Sequence, residues 1–412
     1  MADRFAFIRG AARSTTFLVA VAATAMLVGG CAAEPTVSKI QTLDPIVPPM
    51  PSIAPEVWDV RGTLVSEEPA NVEPELAAQM GEGRRAVYRS VSGITGAGTE
   101  VSGMFFVPKG EPPPLGWPVV SLAHGTTGLT TECAISAEPN LRGFAGAISG
   151  LLAAGVAVAA TDYEGLGGPG LHPYLEPRTA GFNVIDAVRA LRTLFPSVST
   201  RWLAYGSSQG GQAVWAANEL NAFYGGGLEL VGSLAVAPAA NITRVAELAY
   251  RETLTPAQLA VMPLVITGAE RAFPAVTVDR LLHGETLQAR DAMVGCGPEA
   301  QKLRSSTIEA ADVKPTDRAD AEALAESLRK MSLPQESLSA PMLVITGAAD
   351  DVVLPAWVSE SVSRSCQVGG LIQFRELEGV GHGDIAADEA AFDWVDDRFA
   401  GKPAPSNCSD LS

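Results

Sequence analysis

The sequence predicts an α/β protein: a mostly parallel sheet covered by helices on both faces, with an inserted helical cap. Three observations point that way. Between 118 and 236, short apolar runs alternate with stretches of helical spacing. The runs are apolar on both faces, as strands sandwiched between two helical layers must be. From Pro238 to about Pro334 the alternation stops and helix-like stretches replace it, after which the strand pattern returns.

The first element, residues 1–30, reads as an export leader. Arg4, Arg9 and Arg13 form a positive head, and 17–28 is apolar but for Thr24. Twelve residues are too few to span a bilayer comfortably and suit a secretory signal. The run ends in Leu27-Val28-Gly29-Gly30-Cys31, small residues before a cysteine, which resembles a bacterial lipoprotein cleavage site. Cys31 would then be the lipidated first residue of the mature chain, held at the outer face of the cell membrane. An ordinary signal peptide with an incidental cysteine is the alternative, and Val28 stands where Leu is more usual. Residues 31–56, rich in Pro, Ser and Thr, read as a flexible tether. The body divides into a first core part over 57–237, the cap over 238–334, and the last core part with a tail over 335–412.

Composition narrows the partners. The chain is 47% hydrophobic, enough for a well-buried core, and carries a net charge of −17. The leader holds Arg4, Arg9 and Arg13 against Asp3, a net +2, which leaves the remainder near −19. That argues against nucleic acid or an anionic lipid surface as a charge-driven partner. With Cys31 set aside, Cys133, Cys296, Cys366 and Cys408 remain. Four cysteines in an exported chain suggest two disulfides, with three pairings open. No Cys-x-x-Cys or Cys/His cluster speaks for zinc, and no cofactor is expected.

Within the body, 118–123 is a strand that ends at His124-Gly125-Thr126-Thr127-Gly128. Residues 143–154 have helical spacing. The strand 156–160 ends at Asp162-Tyr163-Glu164-Gly165. Residues 180–195 form a helix with Val184, Ile185, Val188 and Leu191 on one face and Pro196 just beyond. The strand 202–205 leads into Gly206-Ser207-Ser208-Gln209-Gly210, and a helix follows over 212–220. A strand covers 230–236. The cap contains helix-like stretches at 245–251, 255–261 and 318–331. Strands return at 342–346 and 371–376, the last helix covers 384–399, and the tail after Gly401 looks irregular.

The serine turn carries the chemistry. Gly-x-Ser-x-Gly alone is weak: with 41 Gly in 412 residues it arises roughly 0.3 times by chance. Its place between a strand and a helix raises it, because small residues two before and two after let the chain turn sharply and expose the hydroxyl. A serine hydroxyl needs a base, and histidine is the usual one. The chain has four: His124, His172, His283 and His382. The order Ser, acid, His expected of a parallel-sheet hydrolase excludes the first two. His283 lies in the cap, whereas His382 sits in Gly381-His382-Gly383 between the last strand and the last helix, and is preferred. The acid should follow the penultimate strand, where Asp350 and Asp351 compete. Asp350 is preferred, with Asp351 as a solvated helix-cap residue. The tetrahedral intermediate needs amide donors. Gln209 supplies one, and Thr126, in the loop after an earlier strand, the other; its hydroxyl could add a third. His124 is expected to brace that loop, and Asp162, Tyr163 and Glu164 to be structural or substrate-lining.

These stretches resemble the Candida-type secretory lipase family, in its actinobacterial lipoprotein branch. The matching motifs are His124 to Gly128 with Cys133 downstream, Asp162 to Gly167 with His172-Pro173-Tyr174, Gly206 to Gly211, Gly347 to Pro355, and Gly381-His382. The resemblance implies an α/β-hydrolase fold with a helical lid and hydrolysis of esters, typically acylglycerols. It also implies the cysteine pairs Cys133 with Cys296 and Cys366 with Cys408. Ser207 stands where a bulkier residue is common, which would widen the space beside Ser208. The expected activity is therefore a lipase or esterase acting on lipid or other acyl esters. An acyltransferase using the same acyl-enzyme, and a non-catalytic surface lipoprotein with a vestigial hydrolase body, are the alternatives.

Overall fold

The computed structural model of the protein describes residues 44–385 and 389–411. The expected leader and Cys31 lie outside the described residues, as does the tether up to residue 43. Nine strands form one sheet among the described residues: β1 (Leu64–Pro69), β2 (Met80–Val91), β3 (Gly98–Pro108), β4 (Trp117–Ala123), β5 (Ala157–Thr161), β6 (Val198–Ser207), β7 (Glu229–Val236), β8 (Met342–Gly347) and β9 (Ile372–Leu377). Their order is β1-β2-β3-β5-β4-β6-β7-β8-β9. From β5 to β9 every pairing is parallel; β1, β2 and β3 join antiparallel at one side. The crossing of β5 past β4 places the loop after β4 beside β6, with Ala123 level with Gly206.

The parallel strands feed two cores, one on each face. Val119, Trp202, Ala204 and Val344 belong to one, while Val120, Leu122, Leu203, Leu343 and Ile345 belong to the other. Alternation at period two sends neighbours to opposite faces, and both faces are apolar because helices cover both. The helices Pro177–Leu194, Gln209–Tyr224 and Pro355–Gln367 pack on the first core, and Ala145–Ala153 with Glu389–Phe399 on the second.

Between β7 and β8 the chain is helical, with Val245–Tyr250, Pro256–Ala272, Gly297–Thr307 and Arg318–Met331 as its longer helices. The helix expected over 255–261 runs on to Ala272. A capping box between Thr255 and Gln258 starts it, and it continues through Pro263 because Met262 to Ala269 are buried. The helix Gln209–Tyr224 likewise begins three residues before the expected 212, directly after Ser208. Two disulfides close, Cys133 with Cys296 and Cys366 with Cys408, with Cα atoms 5.3 and 5.5 Å apart. They are the pairs the resemblance implies.

Both ends of the described chain are fastened. From Asp44 onward the segment expected as a tether is bonded to the body. Asp44 pairs with Arg364 at 2.9 Å, Ile46 N–H donates to Arg329 O, and Arg178 donates to the carbonyls of Pro48 and Pro49. The tail after Gly401 is irregular but docked. Asn407 donates to and accepts from the backbone of β9 at Ile372 and Phe374, covering the sheet's edge. No described helix is long and apolar enough to cross a membrane.

Candidate active site

Strand β6 ends at Ser207, and Ser208 follows with φ 57° and ψ −115°, a conformation that a non-glycine residue rarely adopts. The turn is held by close backbone packing. A Cβ on Gly206 would collide with Gly210 O, and one on Gly210 with Ala123 O. These two glycines are therefore required by the approach of helix to strand. Ser208 N–H donates to Val236 O at 2.8 Å, and Ser208 O accepts from Gln212 and Ala239. The serine is thus pinned to the carboxyl end of the sheet by its own backbone.

His382 stands in the turn after β9, where the sequence places it. Its Nε2 is 2.9 Å from Ser208 Oγ and its Nδ1 is 2.6 Å from Asp350 Oδ2. Asp350 is 3% exposed, and its other oxygen accepts from the amides of Val352 and Val353, both at 2.9 Å. These bonds turn Oδ2 toward the imidazole. The carboxylate accepts from Nδ1–H, so Nε2 is left as an acceptor for the serine hydroxyl. Asp351 is exposed and is not brought to His382; the cap of the next helix is Leu354. His382 reaches back to the sheet edge because Gly347 lets the loop pass close: a Cβ there would strike Val380 O.

The expected amide donors flank Ser208. Gln209 is the first residue of its helix, and Thr126 follows β4. Among the described residues neither amide has a protein acceptor. The Thr126 hydroxyl shares a 2.8 Å hydrogen bond with Tyr174 OH. A cavity of about 1330 Å³ opens over Ser208, His382, Thr126 and Tyr174. One wall, from Ile242, Val245, Val261, Leu264, Val352 and Val353, is apolar.

The other singled-out residues are elsewhere. His124 is fully buried, its Nδ1 2.7 Å from Gly125 O, and burial lowers its pKa. It packs its ring against Tyr163, whose hydroxyl donates to His124 O at 2.9 Å. That is a brace. Asp162 accepts from Ser102 Oγ and Ser136 N–H and joins three segments. Glu164 lies behind the site; burial, with Glu176 nearby, pushes its pKa up to about 7. His283 Nε2 bonds Lys314 O within the insert. Sequence reasoning missed two partnerships at the site, Thr126 with Tyr174 and Gln209 with His172, at 2.8 Å. The nearest signal was the His172-Pro173-Tyr174 motif itself. No group of three or more His, Cys, Asp or Glu among the described residues is placed to hold a metal ion.

Candida antarctica lipase A has the same fold, with a TM-score of 0.69, 14% identity, and 86% of each chain covered. The ligand-bound rice cell wall degrading esterase LipA from Xanthomonas oryzae aligns with a TM-score of 0.64 and 17% identity, covering 85% of this chain and 96% of that one. At such identities the likeness speaks for the fold, which is that of the α/β-hydrolases. No curated protein matches the chain by sequence. The model of the secretory lipase family matches residues 145–407. That match spans more than half of the chain and both segments that hold Ser208 and His382. The chain therefore belongs to the secretory lipase family and is an ester hydrolase of the lipase and esterase class.

Proposed function

We propose that this is an exported serine carboxylester hydrolase that cleaves acyl esters, with acylglycerols as its natural class. Ser208 Oγ attacks the ester carbonyl as its proton passes to His382 Nε2. Asp350 accepts the Nδ1–H and steadies the imidazolium that forms. The Gln209 and Thr126 amides donate to the oxyanion. Collapse breaks the bond to the alcohol oxygen, which takes the proton from Nε2, and leaves an acyl-enzyme. Water then attacks, gives its proton to His382, and releases the acid with Ser208 restored.

The observation that carries this reading is the unbroken chain Asp350–His382–Ser208, at 2.6 and 2.9 Å, opening onto a large cavity with an apolar wall. Residues 238–334 act as the cap, and Ile242, Val245, Val261 and Leu264 on it offer an apolar wall to the acyl chain. The leader exports the protein and Cys31 anchors it by lipid, in keeping with a secretory family and two disulfides.

Labelling with a fluorophosphonate and mapping the adduct tests the nucleophile. Modification at Ser208 is expected, and labelling elsewhere or none sinks the reading. A chain-length series of p-nitrophenyl esters below and above micelle formation separates lipase from esterase. Mass spectrometry of the mature N-terminus, from cells and not from lysate refolding, tests the acyl group on Cys31.

A further inference from the structure

His172 lies outside the Asp350–His382–Ser208 chain, yet it is one hydrogen bond from the residue beside the nucleophile. It is 2% exposed. Its Nδ1 lies 2.8 Å from the Glu164 carbonyl. A carbonyl only accepts, so Nδ1 carries the proton and Nε2 is left as an acceptor. Gln209 Nε2 sits 2.8 Å away and donates to it. Burial lowers the pKa of His172 to about 3, so the ring stays neutral and keeps this tautomer.

The Gln209 side chain is closely confined. It is 2% exposed, and its carbonyl oxygen has no partner among the described residues. With Tyr163, His172, Pro173 and Gln212 it lines a gap of about 10 Å³, the room of a single water probe. His172 is held in turn: its ring stacks on Tyr163 at 5.8 Å, and Arg271 donates to its carbonyl.

Gln209 is the first residue of its helix, directly after a serine with positive φ. The direction of its amide depends on how that strained turn is seated. We propose that His172 is a positioning residue which, by holding the Gln209 side chain, fixes the first peptide of the helix so that its N–H meets the oxyanion. The helix start is thereby tied to the loop 164–176, an element outside both β6 and the helix. This rests on the reading of Ser208 as nucleophile.

The test uses three variants of the full chain. His172→Phe keeps a ring and removes the acceptor, Gln209→Leu removes the donor, and His172→Gln restores an acceptor. For each, kcat and KM are measured on a soluble p-nitrophenyl ester, with the affinity of a trifluoromethyl ketone as transition-state mimic. His172→Phe and Gln209→Leu should lower kcat about tenfold to hundredfold, with KM within about twofold, and weaken the mimic in parallel. The double variant should be no worse than either single one, and His172→Gln should recover most of the loss. A folded His172→Phe with unchanged kcat, a loss in KM alone, or independent losses in the double variant would overturn the proposal. Should His172→Phe fail to fold, the Gln209→Leu and His172→Gln results decide it by the same criteria. Ser208→Ala in the same assay separates the two claims. If it retains activity, the serine reading fails; if it is inactive while His172→Phe is unchanged, only the positioning role fails.

Discussion

The turn that carries Ser208 and the helices of 245–331 face the same cavity but are built from different materials. The turn is made of backbone against backbone: Gly206 against Gly210, Gly210 against Ala123, and Ser208 N–H on Val236 O. The helices opposite are joined to one another at their surface by ion pairs such as Arg318 with Glu247 at 2.6 Å and Arg280 with Asp317 at 2.7 Å, all well exposed. Close-packed backbone has no alternative arrangement nearby, whereas the helices rest on buried side chains such as Val245, Leu264, Val265 and Leu328, the exposed pairs adding little. The difference separates two tasks. The floor fixes where Ser208 stands, and the roof lines the cavity beside it.

Breaking the floor should cost most. Ser208→Ala is expected to lower kcat by about 10⁴-fold or more, and Asp350→Asn by about 10³-fold or more, while Asp351→Asn stays within a few-fold. Steady-state kinetics on a soluble ester checks all three. If Asp351→Asn were the damaging change, the floor would have been assigned wrongly. A second test reaches the layer behind the floor. Glu164 binds its proton more tightly folded than unfolded, up to about pH 7. Between the usual carboxyl range and that value the native state holds the extra proton, so stability falls as pH rises from about 4.5 to 7 and is level above. Glu164→Gln should remove that slope, a difference of about 3 kcal/mol at pH 7 in denaturant titrations. Parallel curves for the two proteins would mean the carboxyl is solvated.

The roof should respond in selectivity rather than in rate. Leu264→Trp narrows the apolar wall and should shift kcat/KM for long against short acyl chains by about tenfold, with little change on the shortest ester. A uniform loss across the series would place Leu264 in the chemistry. Arg318→Ala, at the outer surface, should leave both the melting temperature and kcat close to those of the parent, as thermal melts and kinetics would report.

Legibility followed the same division. The parallel strands were readable because burial on both faces leaves an apolar run, unbroken in Val156 to Ala160. The three antiparallel strands β1 to β3 escaped notice. β2 alternates partly buried and buried positions and carries Arg84, Arg85 and Arg89, and β1 is almost wholly exposed, so neither shows the signature of a core strand. Pro263 concealed the second half of the helix Pro256–Ala272, whose burial overrides the local penalty. At the site, Ser208 and His382 were legible because four histidines left few choices. Between Asp350 and Asp351 the sequence favoured Asp350, the one that meets His382, though neighbours in sequence differ only in which way the loop turns them. The bond between His172 and Gln209, 37 residues apart, had no local pattern to announce it.

The bridge from Cys133 to Cys296 closes a covalent ring with a sequence separation of 163, and Ser208 lies inside it. A protease nick in any loop of that ring leaves the pieces joined, so cleavage would be visible only after reduction. The same staple acts as a pinned joint. It fastens the start of the helix Gly297–Thr307 to the loop after β4. Reduction would sever that fastening without touching Ser208, Asp350 or His382.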